Sequence, residues 1–111
     1  MATYNKIVLM GNVAAEPRSS VNGKATDIYL AVNGMKKDDP TLFINVRTFN
    51  QTAHFIQQYV QKGSNVLVDG KLVLDTFTDK SGKEQKRYCV NAVSVQLIGG
   101  GKQQQQPQNS F

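Results

Sequence analysis

Short apolar runs separated by clusters of Gly, Pro, Asn, Asp and Ser fill most of the chain, and this pattern predicts strands rather than helices. Asn5 to Val13 reads as the first strand, with the run Ile7-Val8-Leu9-Met10 interrupted by Gly11 as at a bulge or sharp bend. Glu16-Pro17-Arg18 then turns the chain, and Val21-Asn22-Gly23-Lys24 has the composition of a tight hairpin turn. The second strand, Asp27 to Asn33, alternates Ile28, Leu30 and Val32 on one face with Tyr29 and Ala31 on the other. An exposed loop rich in Lys and Asp, Gly34 to Pro40, leads into a third strand at Leu42 to Asn50. Helical spacing occurs once, at Gln51 to Gln61, where Phe55, Ile56, Tyr59 and Val60 recur and Lys62-Gly63 ends the run. Asn65 to Thr76 is the fourth strand, with Val66, Val68 and Leu72 apolar and Gly70 marking a bulge. Thr78 to Lys83 forms a hairpin tip with Phe77 at its base, and Lys86 to Ile98 is the last strand.

The third strand has two faces of different kinds. Leu42, Ile44, Val46 and Thr48 form a row suited to a core. Phe43, Asn45, Arg47 and Phe49 form the other, in which two aromatic rings flank an Asn and an Arg. That face suits a ligand that is flat and charged. It equally suits a second small core under which Arg47 snorkels to solvent.

Composition narrows the classes. Thirteen Lys and Arg against eight Asp and Glu give a formal charge of +5 over 111 residues, which favours a polyanionic partner only modestly. All the acids lie at or before Glu84, and Lys86, Arg87 and Lys102 follow without one. The length suits one domain, expected at residues 1 to 98 and followed by a flexible Gly/Gln-rich tail at 99 to 111. No apolar run approaches the roughly 20 residues of a membrane span, and the opening Met-Ala-Thr-Tyr-Asn-Lys lacks the plan of a secretory signal. A cytoplasmic location is therefore expected. The lone Cys89 and lone His54 make neither an internal disulfide nor a Cys/His zinc cluster, so no metal or other cofactor is expected. His54 has no paired Asp or Ser motif and reads as a helix-surface or packing residue, and Cys89 as a small buried hydrophobe. With no phosphate-loop pattern either, an enzyme is not expected.

Three strands, a short helix and a final hairpin give an all-β chain with one short helix, the element order of the five-stranded OB-fold barrel. Asn5-Lys6-Ile7-Val8-Leu9-Met10-Gly11-Asn12-Val13 followed by Glu16-Pro17 resembles the opening of bacterial single-stranded DNA-binding proteins of the SSB family, N-K-V-x-L-x-G-x-L and then D-P. Tyr59 to Val66 resembles that family's Y-L-x-K-G-S-x-V, Val68 to Leu72 its V-x-G-x-L, and Phe77 to Gly82 its W-T-D-x-x-G hairpin. The resemblance covers residues 5 to 98. It implies sequence-independent binding and protection of single-stranded DNA in replication, recombination or repair, by a cytoplasmic, nucleoid-associated homotetramer. The apolar first strand is a plausible pairing surface for assembly, unless Val8 and Met10 face their own core.

Phe43, Phe49 and Phe77 fall where the resemblance implies stacking on bases, with Phe where the family commonly has Trp at the first and last of these positions. Met35 replaces an aromatic of the loop after the second strand, and Ile44-Asn45 replaces a His-Arg pair associated with subunit contacts. Phosphate contacts are expected from Arg47, Lys36, Lys37, Lys71, Lys80, Lys83, Lys86 and Arg87, with Lys6 and Lys62 as weaker candidates. The family's acidic tip, which recruits replication and repair proteins, is absent from the residues up to Asn109-Ser110-Phe111, as expected either of a short-tailed variant or of a chain truncated inside the linker. An OB-fold adaptor for protein or RNA is the competing reading.

Overall fold

A computed structural model describes residues 2–101, so Lys102 and the Gln-rich stretch after it lie outside the described residues. Strands β1 (Ile7–Val13), β2 (Arg18–Ser19), β3 (Ala25–Val32) and β4 (Leu42–Phe49) precede helix α1 (Asn50–Tyr59). Strands β5 (Asn65–Thr78) and β6 (Glu84–Gly99) follow it as a long hairpin. The sheet order is β1-β5-β6-β4-β3-β2. A further antiparallel pairing, Asn12 with Ala31 and Val13 with Leu30, joins β1 to β3 and closes five strands into a ring. This is the expected five-stranded barrel with one short helix.

Alternation along each strand points one set of side chains into the ring. Val13, Ile28, Leu30, Val46, Val66, Val68 and Val90 are buried there, and Ile56 and Val60 seal the space from the helix side. Each fully buried aliphatic chain contributes about 1.5–3 kcal/mol relative to exposure, which makes this cluster the main source of stability. Ile44, Val46 and Thr48 occupy the expected core row, with the Thr48 hydroxyl donating to the Thr26 carbonyl at 2.7 Å. Leu42 does not join them. It opens β4 beside Val32 and stays about half exposed.

The boundaries move for identifiable reasons. The first strand begins at Ile7 rather than Asn5 because the Asn5 side chain takes over the pairing: its amide nitrogen donates to the Leu72 carbonyl at 2.8 Å and its oxygen accepts from the Leu72 N–H at 3.0 Å. The helix stops at Tyr59 because Val60 turns extended, at φ −106° and ψ 135°, and inserts into the core. Where a simple turn was expected, Arg18–Ser19 pairs with Asp27 and Thr26 as a two-residue strand. The second strand starts two residues early, at Ala25, and the arms of the last hairpin extend to Thr78 and back from Glu84.

Two predicted irregularities are explained by backbone proximity. Gly11 sits where β1 passes from β5 to β3, and a Cβ there would collide with the Ala31 carbonyl oxygen. Gly70 marks a register shift between β5 and β6, and a Cβ would drive into the Asn91 carbonyl. Gly70→Ala is therefore expected to lower the unfolding free energy by about 1–3 kcal/mol, the range for forcing extra volume into a packed site. Urea denaturation measures it, and a loss indistinguishable from zero would show that the bulge yields freely.

Candidate nucleic-acid interface

The side chains of β4 that turn away from the core are Phe43, Asn45, Arg47 and Phe49. Antiparallel register with β3 sets Ala31 beside Phe43, Tyr29 beside Asn45, Asp27 beside Arg47 and Ala25 beside Phe49. On the other side the parallel pairing with β6 sets Cys89 beside Asn45 and Asn91 beside Arg47. Through β6 the same face continues onto β5, where Arg87 lies opposite Asp75 and Cys89 opposite Val73. The outer wall of the barrel is thus one continuous face across four strands.

Aromatic rings mark that face. Phe43 is 51% exposed and stacks on Tyr29 with ring centroids 5.6 Å apart and planes 17° from parallel. Phe49 is 42% exposed and Phe77 38%, and the Arg87 guanidinium lies 4.8 Å from the centre of the Phe77 ring. Tyr29 was visible in the sequence as an outward residue of the second strand, but only the register reveals that it backs Phe43. Between the rings, Asn45 and Cys89 are buried, so the face is a thin packed layer that carries exposed aromatics. Burial pushes the Cys89 thiol above its ordinary pKa, which keeps it protonated and inert.

The arginines of β4 and β6 on this face already hold carboxylates. Arg47 grips Asp27 with two hydrogen bonds, Nε to Oδ1 at 2.9 Å and Nη2 to Oδ2 at 3.2 Å, and this bonding raises its pKa further. Arg87 reaches Asp75 at 3.7 Å. Lys36, Lys37, Lys71, Lys80, Lys83 and Lys86 are exposed and make no ion pair among the described residues, whereas Lys6 lies 3.7 Å from Asp69.

The candidates are not all gathered on one surface. Met35, 97% exposed, and its neighbours Lys36 and Lys37 sit on the loop between β3 and β4, whose turn is held by the Lys36 N–H donating to the Asp39 carboxylate at 3.1 Å. Lys80 and Lys83 lie at the tip of the β5–β6 hairpin. Lys86 lies beside Thr76 on the face of that hairpin opposite to Phe77, the face that also carries Leu74 and Tyr88. Lys71 lines a separate cleft with Tyr4, Lys6, Asp69 and Val93, on the side of the barrel toward β1. His54 is exposed on α1.

An aromatic outer face on a closed five-stranded barrel, with unpaired lysines on the loop and hairpin around it, matches a known plan. Residues 4–98 fit the model of the single-strand binding protein family. The chain belongs to that family. Among its relatives are a single-stranded DNA-binding protein of Wolinella succinogenes, 38% identical over 86% of this chain and 64% of the relative, and one of Helicobacter hepaticus, 36% identical over 86% and 61%. The chain thus spans less than two thirds of the length of these relatives. A crystal structure of a small single-stranded DNA-binding protein from Streptomyces coelicolor superposes with a TM-score of 0.71 at 26% identity, covering 86% of this chain and 95% of that one.

In this member of the family the hairpin tip has an ionic organiser that its sequence did not advertise. The Asp79 carboxylate accepts hydrogen bonds from the Ser81 N–H at 2.9 Å, the Ser81 hydroxyl at 2.7 Å, the Lys83 N–H at 3.0 Å and the Gln85 amide at 3.0 Å. These bonds favour the ionised form and lower its pKa, the Ser81 hydroxyl most of all. A depressed folded-state pKa stabilises the turn at neutral pH, and the contribution is lost as pH falls through the folded value. Amide exchange at Ser81 and Lys83 should accordingly accelerate on acidification below the ordinary aspartate range while core amides stay protected. Asp79→Ala should show the same local acceleration already at neutral pH. Equal protection in the variant and the parent would remove this role from Asp79.

Proposed function

We propose that this chain binds and protects single-stranded DNA without sequence preference, in replication, recombination or repair, as a binding domain and not an enzyme. The exposed ring set Phe43, Phe49 and Phe77 on one continuous barrel face carries the reading. Single strands offer unstacked base faces, and every base has one, so the three rings take bases with little regard to sequence. Tyr29 backs Phe43 and fixes the plane of its ring. Phosphates go to the cations around this floor, Lys36 and Lys37 with Met35 on the loop, Lys80, Lys83 and Arg87 on the hairpin, and Lys86 and Lys71 where a strand wraps beyond it. Released counterions then make affinity fall with salt. Because Asp27 holds Arg47, Arg47 acts chiefly as a positioning residue between the rings.

Assembly extends the footprint. One OB fold covers about 4–16 nucleotides, and linking several on one strand multiplies affinity without a new kind of contact. A homotetramer is the state we propose, as the family resemblance implies. Its support is that Val8 and Met10 do not face the core: they stand 52% and 49% exposed on β1, while Ile7 and Leu9 pack inward. We place the protein in the cytoplasm at the nucleoid, with single-stranded DNA and further copies of itself as partners. Among the described residues no helix is long and apolar enough to cross a membrane.

Two outcomes follow. Labelled poly-dT should bind in preference to duplex with marked salt sensitivity. Each of Phe43→Ala and Phe77→Ala should cost affinity toward the lower end of about 1–3 kcal/mol per base, because Phe offers less ring area than Trp. Binding that ignores both rings would point instead to a protein-binding or otherwise repurposed OB domain. Sedimentation of a Val8→Glu/Met10→Glu variant should show smaller species than the parent, and an unchanged distribution would clear β1 of a role in assembly.

A further inference from the structure

A single charged row crosses the outer face. Arg18 of β2 is the register partner of Asp27 of β3, and Asp27 is the partner of Arg47 of β4. The row forms a rib between two clefts, one of about 420 Å³ that includes Tyr29 and one of about 550 Å³ that includes Phe49. Arg18 and Asp27 line both. Both Asp27 oxygens are taken by Arg47. Arg18 is exposed and makes no ion pair among the described residues, although Glu16 shares its first cleft.

Three charges therefore leave one free cation on the rib. A strand with a base in each cleft brings its connecting phosphate to this place. There Arg18 offers an uncompensated charge, while Arg47 offers only the free edge of a guanidinium whose charge Asp27 already cancels. The Asp27 pair takes the Nε and one Nη2 donor of Arg47 and cancels its charge, so a phosphate at the remaining Nη1 edge meets a neutral pair with a carboxylate beside it. We infer that Asp27 is an internal competitor for backbone phosphate, which cancels the charge of Arg47, leaves Arg18 as the one uncompensated cation of the rib, and keeps the affinity for single strands below what two arginines would give. This inference rests on the single-strand reading of the face. Its consequence is a strand that is held but readily released, which suits a protein that must be displaced from its ligand.

The experiment is a salt titration of labelled poly-dT binding to the full chain and its variants. Asp27→Asn retains an acceptor for Arg47 but removes the charge. It should steepen the dependence of log affinity on log salt by about 0.7, the value for one more phosphate on a single strand, and tighten binding about fivefold at 0.1 M salt. Adding Arg47→Gln to it should abolish that gain. Arg18→Gln, on an exposed two-residue strand, should reduce the slope of the parent by about 0.7. Thermal melting of each variant confirms that the compared proteins are folded. Unchanged or weaker binding by folded Asp27→Asn, or an unchanged slope in Arg18→Gln, would overturn the inference while leaving the single-strand reading intact if the parent still depends on Phe43. A parent that fails to bind poly-dT would overturn both.

Discussion

Closure of the sheet is the constraint on which the rest of the molecule depends. Strand β1 must bond to β5 along most of its length and to β3 at Asn12 and Val13, which forces two backbones together at Gly11, where no side chain fits. Once the ring closes, the alternation of every strand acquires a meaning. One set of side chains becomes the core, and the other becomes an outer wall whose composition is free to serve a ligand. The helix completes the core from one end, tied to the β2–β3 turn by Gln57, which donates to the Gly23 carbonyl at 3.1 Å and to the Thr26 hydroxyl at 2.8 Å.

On that outer wall the apolar and ionic parts divide the work. Aromatic rings occupy β3, β4 and the end of β5 just before the hairpin tip, while the unpaired lysines lie on the loop after β3, at the hairpin tip and toward β1. Between them Arg47 and Arg87 are matched by aspartates and only Arg18 is left over, so the floor under the rings carries little net charge. A neutral floor suits stacking, which needs exposed π-faces, and leaves long-range attraction to the flexible lysines at the rim. The fixed Asp27–Arg47 fork and the Arg87–Phe77 contact hold side chains that would otherwise lose rotamer freedom on binding.

The exposed apolar residues fall into a second group, away from the rings. Val8 and Met10 on β1 lie on the outside of the barrel, and Leu74 and Tyr88 lie on the hairpin face opposite to Phe77. A chain with this much apolar surface outside its core has more than one face to cover. The proposed base stacking would cover one of them, and the proposed self-association would cover another.

Although it missed the short β2 and the exposure of Leu42, local pattern was enough to read the order of the five barrel strands, the single helix, most of the core rows of β3 and β4 and the outward rings Phe43 and Phe49, because period two and period 3.6 are written directly into neighbouring positions. The same holds for the glycines that break strands, since a residue without Cβ is conspicuous in an apolar run. What only the tertiary structure decided was pairing between residues distant along the chain. Asp27 meets Arg47 across twenty positions, Asn5 replaces a strand residue of β1 from sixty-seven positions before its partner Leu72, and Lys86 falls on the opposite side of its hairpin from Phe77. Charge listed along a sequence shows Arg47 as a cation beside two rings. Register shows it already neutralised, because the energy of an ion pair depends on the distance between its members and not on their place in the chain.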